Sequence, residues 1–176
     1  MRPQKDEYYL NIAKEVAMRS TCFRVKVGAI IVRDDQIIST GYAGAPRKTK
    51  DCLERNECIR DKLNIPHGKQ YEMCRSVHAE MNAVINAARA GVSLLGGTMY
   101  LYIEDRNGQR IDSLPCFICK KVIINAGINR MVCSTKTPGE MRIFYIQDWI
   151  DEWREKDIID DKDQYGKEQN ERENRS

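Results

Sequence analysis

The chain reads Ser76-Val77-His78-Ala79-Glu80-Met81-Asn82-Ala83 near its middle, and further on it reads Leu114-Pro115-Cys116-Phe117-Ile118-Cys119. One His and two Cys suit a catalytic Zn²⁺ site, because three protein ligands leave the fourth tetrahedral position open for water. Glu80 lies two residues after the His and is free to move protons. The two stretches therefore predict a water-activating zinc centre with His78, Cys116 and Cys119 as ligands.

The first stretch is predicted to lie at the start of a helix. Residues 82–90 contain neither Pro nor Gly, and Gly91 follows them. We therefore expect a helix over these residues that ends at the glycine, with His78 and Glu80 in its first turn. This position places the His at the helix end that carries partial positive charge.

The second stretch is predicted to begin another helix, over residues 115–126. Pro115 is favoured at the first helical position, and Gly127 suits the position just after the last turn. Cys116 and Cys119 are three residues apart, so on one helix they point the same way. A helix N-terminus also favours thiolate over thiol, which is the form that binds metal.

Each motif alone has another interpretation. A lone C-x-x-C also occurs in redox pairs and in structural zinc sites, and a lone His beside an apolar helix is more often structural. The conjunction of H-A-E at one helix start with P-C-x-x-C at another favours a catalytic centre.

The remaining patterns predict one α/β domain over residues 1–154, followed by a polar tail over 155–176 that we expect to be disordered. The expected helices are 6–19, 58–63, 82–90, 115–126 and 148–153. The expected strands are 25–33, 36–40, 98–103, 130–133 and 141–146. Helices that alternate with strands in this order indicate helices layered on a mixed sheet.

Composition limits the partners and the compartment. The formal net charge of +3 is too small to indicate nucleic-acid binding, and Arg47-Lys48-Thr49-Lys50 is a short basic run. The N-terminal residues carry no apolar signal-peptide core, and no apolar run is long enough to span a membrane. The seven cysteines are an odd number, which indicates metal and thiol chemistry in a cytoplasmic protein rather than a disulfide framework.

The H-x-E and P-C-x-x-C motifs match the signature of the zinc deaminases. The chain resembles the cytidine/deoxycytidylate deaminase superfamily, and within it the deoxycytidylate (dCMP) deaminase family, from about residue 5 to about residue 150. Beyond the two motifs, the resemblance rests on Cys22-Phe23-Arg24-Val25-Lys26-Val27-Gly28-Ala29 and on Ser39-Thr40-Gly41-Tyr42-Ala43-Gly44-Ala45-Pro46. It implies a three-layer α/β/α cytidine-deaminase-like fold with a central mixed five-stranded sheet.

The resemblance also implies an activity and a site. Zinc on His78, Cys116 and Cys119, with Glu80 as the proton shuttle, would convert dCMP to dUMP and ammonia. Backbone N–H groups at Ala79 and Cys116 would hold the base. The loop residues Tyr42, Ala43 and Gly44 would lie near the nucleotide. Family members are commonly homo-oligomers, often hexamers, and many respond to dCTP and dTTP, effectors that are expected to bind with Mg²⁺.

The chain departs from the family pattern in three places. Ala43 stands where the family loop usually has Asn. The segment 104–114 looks like an insertion before P-C-x-x-C. The Tyr often found after the fourth strand is missing, and Cys133-Ser134-Thr135 occupies that region. Deamination is therefore better specified by the sequence than the substrate is.

Four further cysteines indicate a second, structural zinc. The resemblance implies that cysteines matching Cys22 and Cys52 bind it. Cys58 and Cys74 would complete a closed Cys₄ site, with His67 as an alternative ligand, or all of these thiols are simply reduced. Cys133, at the end of a strand, is expected in the core.

Two other functions fit the same sequence. The first is a deaminase for another cytosine nucleotide or nucleoside, or for tRNA adenosine, because a fold does not fix its substrate. The second is a non-catalytic binding module stabilised by zinc, against which the retained Glu80 argues.

Overall fold

A computed structural model describes residues 2–66 and 68–157. Within these residues the strands are β1 (Val25–Arg33), β2 (Gln36–Tyr42), β3 (Thr98–Asp105), β4 (Arg130–Ser134) and β5 (Met141–Tyr145). The helices are α1 (Lys5–Ala17), α2 (Cys52–Arg55), α3 (Ile59–Lys62), α4 (Ala79–Ala90), α5 (Phe117–Asn125) and α6 (Ile146–Glu155), and Tyr71–Met73 forms a 3₁₀ turn.

The strands form one mixed sheet in the order β2-β1-β3-β4-β5. β1 pairs antiparallel with both β2 and β3, β3 pairs parallel with β4, and β4 pairs antiparallel with β5. β2, β3 and β4 therefore run in the same direction. Because α4 follows β2 and α5 follows β3, both helices begin at the edge where these strands end.

The two central strands are buried on both faces, and their side chains alternate between two cores. Val27, Ala29 and Ile31 of β1 pack with α4 and α5, whereas Ile30 and Val32 pack with α1. β3 follows the same alternation, as the period of two along a strand requires. The result is α1 on one face and α4, α5 and α6 on the other, which confirms the predicted three-layer α/β/α architecture.

Two glycines set how closely the helices approach the sheet. A Cβ on Gly28 would overlap the backbone of α1 at Ala13 and Ala17, and a Cβ on Gly41 would overlap the backbone of α4 at Ala79. The second contact brings the first turn of α4, which follows His78, directly against β2.

Most element boundaries agree with the sequence predictions, but the start of α5 does not. α5 begins at Phe117, and Cys116 is its N-cap with an extended backbone, φ −69° and ψ 168°. Pro115 therefore precedes the cap, where its missing N–H costs nothing, instead of opening the helix. α4 likewise begins at Ala79, with His78 as its N-cap.

The segment 104–114, which the sequence analysis identifies as an insertion, is partly strand. β3 continues to Asp105 because Val25 and Lys26 pair with its last two residues, and Lys26 Nζ lies 2.9 Å from the Glu104 carboxylate. The chain then turns at Gly108, with φ +77°, and returns so that Glu104 and Arg110 form an isolated bridge. The segment is thus a compact turn that extends the sheet.

The C-terminal prediction was wrong about the extent of the last helix. α6 covers Ile146–Glu155 instead of 148–153, since Ile146 and Trp149 bury against the α4 and α5 core. The predicted tail over 155–176 falls almost wholly outside the described residues. In the described part of the chain, we find no helix with the length and apolarity needed to span a membrane.

A polar network ties α1 to the middle of the sheet. The Asp6 carboxylate accepts hydrogen bonds from the Tyr100 hydroxyl at 2.8 Å and from the Arg130 guanidinium at 2.9 Å. The side chains of Asp6 and Arg130 are only 24% and 25% exposed. The hydrogen bond from Arg130 holds the pKa of Asp6 below its ordinary value of 3.8.

Replacing Asp6 by Asn should lower the free energy of unfolding by about 1 kcal/mol near neutral pH, because hydrogen bonds to a charged group are lost. A depressed folded-state pKa stabilises the protein fully above the ordinary pKa, and this contribution disappears as the pH falls through the folded-state value. Thermal melts should therefore show a difference between wild type and Asp6→Asn that shrinks below pH 3.8.

The matched control is Asp34→Asn, because the Asp34 side chain is 90% exposed and lies 3.6 Å from Arg33. This variant should have the same melting temperature as the wild type at every pH. A destabilisation of Asp6→Asn that stayed constant down to strong acid would contradict the role assigned to the network.

Candidate active site

The N-termini of α4 and α5 bring the three predicted ligands together. His78 Nδ1 lies 3.3 Å from Cys119 Sγ and 3.4 Å from Cys116 Sγ. Among residues 2–66 and 68–157, these three side chains form the one group of His, Cys, Asp or Glu whose ligand atoms all lie within 4.8 Å of one another. Cys119 is fully buried and Cys116 is 8% exposed.

This geometry fits a zinc ion. Tetrahedral Zn²⁺ with ordinary Zn–N and Zn–S bond lengths separates a ligand nitrogen from a ligand sulfur by about 3.6 Å. The two measured N–S distances are within a few tenths of an ångström of this value. His78, Cys116 and Cys119 would therefore hold the ion with little movement, His78 through Nδ1.

The electrostatics of the site favour metal-binding thiolate. Hydrogen bonds from the Cys119 thiol and from His78 lower the pKa of Cys116 to about 4, even though the sulfur is buried. The pKa of Cys119 is raised because its thiol donates to Cys116. The pair therefore favours thiolate at Cys116, and a cation between the two sulfurs would also favour ionisation of Cys119.

Glu80 lies in the first turn of α4 and is 4% exposed. Its burial raises the pKa of its carboxyl group above the ordinary value of 4.5. The carboxyl group also lies within hydrogen-bonding reach of the Cys119 thiol. A carboxyl with these properties, two residues from a ligand, is suited to accept and return a proton.

The loop after β2 is attached to the segment that leads into His78. Gly44 and Val77 exchange two backbone hydrogen bonds, at 3.2 and 2.8 Å. The Asn82 side-chain amide donates to the Tyr42 carbonyl at 2.8 Å. Tyr42 and Gly44 therefore lie next to the start of α4.

Ala43 differs from its neighbours in the loop. It is 6% exposed and belongs to the core, its N–H donates to the Val27 carbonyl, and its carbonyl accepts from the Thr21 N–H. The methyl group of Ala43 therefore helps to fix the loop rather than offering a polar contact. Ala79 is fully buried at the first position of α4, where its N–H has no partner within the helix.

The four other predicted ligands gather near one another but do not form a compact group like the first. Burial raises the pKa of the Cys52 thiol, and the charges of Cys22, Cys58 and Cys74 raise it further. The Arg24 backbone N–H lies 3.4 Å from Cys22 Sγ. His67 lies outside the described residues. All seven cysteines are free, and Cys133 is fully buried as predicted.

Sequence patterns missed two residues beside the site. The rings of Tyr71 and His78 meet edge to face, at 88° and a centroid distance of 5.0 Å. The Arg60 guanidinium lies 5.1 Å from the centre of the Tyr71 ring. Both residues come from the long polar segment between Gly44 and His78, where no periodic pattern marks them.

With this fold and site, the chain belongs to the family described as the cytidine and deoxycytidylate deaminase zinc-binding region, which matches residues 3–135. It is 38% identical over 136 residues to a deoxycytidylate deaminase of Mycobacterium phage D29, which covers 74% of this chain and 94% of the phage protein.

Other similarities extend over different lengths. A deoxycytidylate deaminase of Schizosaccharomyces pombe is 35% identical over 134 residues, 76% of this chain, but the chain spans only 38% of that protein. The crystal structure of the cyanophage S-TIM5 dCMP deaminase in complex with dCMP and dUMP has a TM-score of 0.52 and 25% identity, and covers 73% of this chain and 79% of that one.

Replacing Cys119 by Ser should remove the active-site zinc, because a hydroxyl is a far poorer zinc ligand than a thiolate. Elemental analysis of the purified protein should show one zinc less per chain than the wild type. Cys133→Ala, which removes a buried sulfur outside the site, should keep the full zinc content. Unchanged zinc in Cys119→Ser would contradict the ligand set.

Proposed function

We propose that this chain deaminates dCMP hydrolytically, giving dUMP and ammonia. The observation that carries the proposal is the meeting of His78, Cys116 and Cys119 beside the buried carboxyl of Glu80, in a chain of this family. The phage relative of similar length is itself a deoxycytidylate deaminase.

The mechanism assigns each residue a separate task. His78, Cys116 and Cys119 would hold Zn²⁺, which would supply a Lewis acid that makes water nucleophilic near neutral pH. Glu80 accepts the proton that this water loses and delivers a proton to the amino group that leaves C4 of the cytosine ring. The raised pKa of Glu80, caused by its burial, suits a group that must hold a proton between the two transfers.

The backbone around the site supplies binding groups. The N–H groups of Ala79 and Cys116 lie at the starts of α4 and α5, where helix N–H groups have no internal acceptor. We assign them to the base, and the loop residues Tyr42, Ala43 and Gly44 to the neighbourhood of the sugar and phosphate. Ala43 acts there by fixing the loop, since its side chain is buried and its backbone N–H and carbonyl bond to Val27 and Thr21.

A substrate panel tests the proposal. Zinc-loaded protein is given dCMP, CMP, dCTP, deoxycytidine, cytosine and an adenosine-containing tRNA stem-loop, and ammonia release is followed. We expect turnover of dCMP, and a decrease of about 100-fold or more in Glu80→Gln, which keeps the shape of the side chain but cannot accept and return a proton.

The other outcomes separate the alternatives. If the protein turns over a different compound, and Glu80→Gln abolishes that turnover, the mechanism is supported but the substrate is not dCMP. Zinc-loaded protein that turns over none of the six compounds, with dCTP added as a possible activator, would favour the non-catalytic binding module.

We further propose a second, structural zinc on Cys22, Cys52, Cys58 and Cys74. The support is their shared neighbourhood, since the charges of the other three reach Cys52, and the donor set, since four cysteines form a typical closed zinc site. Such a site would hold the segment between β2 and α4 against the start of β1.

The wild type should then contain about two zinc ions per chain after gentle purification, the number of sites that the two ligand sets provide. Cys58→Ala should retain about one, with a lower melting temperature, and Cys133→Ala should retain two. A single zinc in the wild type, all of it lost in Cys119→Ser, would contradict the second site.

The remaining proposals concern oligomeric assembly, allosteric regulation and cellular location. We propose a homo-oligomer, with six chains as the first number to test by light scattering, and regulation by dCTP and dTTP with Mg²⁺. Large apolar side chains are exposed at Ile37 and Tyr145, which an interface would cover. A cytoplasmic location is in keeping with seven free cysteines.

A further inference from the structure

Tyr71 and Arg60 form a preorganised pair at the metal site. Tyr71 lies just before the segment that leads into His78, and Arg60 lies in α3. The Arg60 side chain is buried, with only 3% of its surface exposed, so its position beside Tyr71 is fixed by the fold. A buried guanidinium needs acceptors, and this one donates to the Pro66 carbonyl at 2.7 Å and to the Gln70 carbonyl at 3.0 Å.

These bonds fix the guanidinium beside the Tyr71 ring, 5.1 Å from its centre. A cation at this distance from an aromatic face is attracted by the ring quadrupole, most strongly when water is excluded. Arg60 therefore holds the ring in one orientation and leaves the rest of it available for other contacts. Tyr71 itself is only half-buried.

The other neighbour of the ring is a metal ligand. The Tyr71 and His78 rings meet edge to face at 5.0 Å, a favourable geometry for an aromatic pair. Burial raises the pKa of Tyr71, and the negative charges of Cys116, Cys119 and Glu80 are close enough to raise it further. The ring thus lies at the metal site itself, in contact with one of the proposed ligands.

The strand beside the site offers no comparable surface. Cys133, Ser134 and Thr135 at the end of β4 are 0%, 1% and 7% exposed and carry no aromatic ring. Within residues 2–66 and 68–157, Tyr71 is the aromatic side chain whose ring contacts His78. A flat pyrimidine brought to the metal would therefore meet this ring.

We propose that Tyr71 forms the aromatic wall of the pyrimidine site and contacts the substrate base, and that Arg60 is a positioning residue for this ring. The proposal rests on the proposed deamination of dCMP, and it assigns base recognition in part to the segment between α3 and α4. It predicts that the aromatic face is the required property, and that the hydroxyl group is not.

The test compares Tyr71→Leu with Tyr71→Phe in zinc-loaded protein. Leu keeps apolar packing against His78 but removes the ring face, whereas Phe keeps the face. We expect Tyr71→Leu to raise KM for dCMP and the dissociation constant of the product dUMP, measured by calorimetry, about 10-fold, in line with the typical effect of removing one base–aromatic stack. Tyr71→Phe should stay within about 3-fold on both quantities, and zinc content should not change.

Tyr8→Leu is the matched control, because Tyr8 is 50% exposed on α1. It should leave both constants unchanged. Arg60→Met should weaken dUMP binding when it is made in the wild type. Made in the Tyr71→Leu variant, it should weaken binding little further, because both residues act through the same ring.

The proposal is overturned if Tyr71→Leu binds dUMP as the wild type does with an unchanged KM. It is also overturned if zinc content falls in step with dUMP affinity, because the ring would then only support His78. A different result would contradict the proposed function: wild-type protein that releases no ammonia from dCMP.

Discussion

The shared direction of β2, β3 and β4 is the constraint on which the site depends. An antiparallel β1 between β2 and β3 lets all three strands end at one edge, so the helices that follow β2 and β3 both begin there. Gly41 allows α4 to touch β2, which fixes the distance between the two helix starts. Without this arrangement, His78 and the two cysteines would be far apart.

Two helix N-termini at one point create a local electrostatic environment that suits anionic ligands. Partial positive charge at the start of α5 favours thiolate at Cys116, its N-cap residue. The same burial that protects the sulfurs raises the pKa of Glu80, so that one carboxyl group close to the ligands can hold a proton. Ligand binding and proton transfer thus have a common physical origin in the burial of two helix starts.

The meeting of His78, Cys116 and Cys119 and the layers of the fold could be predicted from the sequence because their signals are local. Helix-start residues, glycine stops and a period of two along β1 and β3 are each contained within a few neighbouring residues. The start of α5 was misplaced because Pro fits equally well before the N-cap. The length of β3 was underestimated because the pairing of Glu104 with Lys26 joins distant parts of the chain.

Arg60 and Tyr71 could not be found in this way. The contacts of Tyr71 with His78 and of Arg60 with Tyr71 depend on the path of the segment between Cys58 and Cys74, which has no repeating pattern. The arrangement appears only when the acceptors of the buried Arg60 guanidinium are traced to the Pro66 and Gln70 carbonyls. The proposed structural zinc site would hold this segment in place. Loss of that zinc would then also disorder Tyr71 and Arg60 at the proposed pyrimidine site.

The most direct test of the account is a crystal structure of zinc-loaded Glu80→Gln with dCMP, with anomalous data collected at the zinc edge. The account predicts a zinc peak bonded to His78 Nδ1 and to the sulfurs of Cys116 and Cys119, with C4 of the cytosine ring facing the metal. A nucleotide bound elsewhere, or a zinc peak that misses these three atoms, would contradict it.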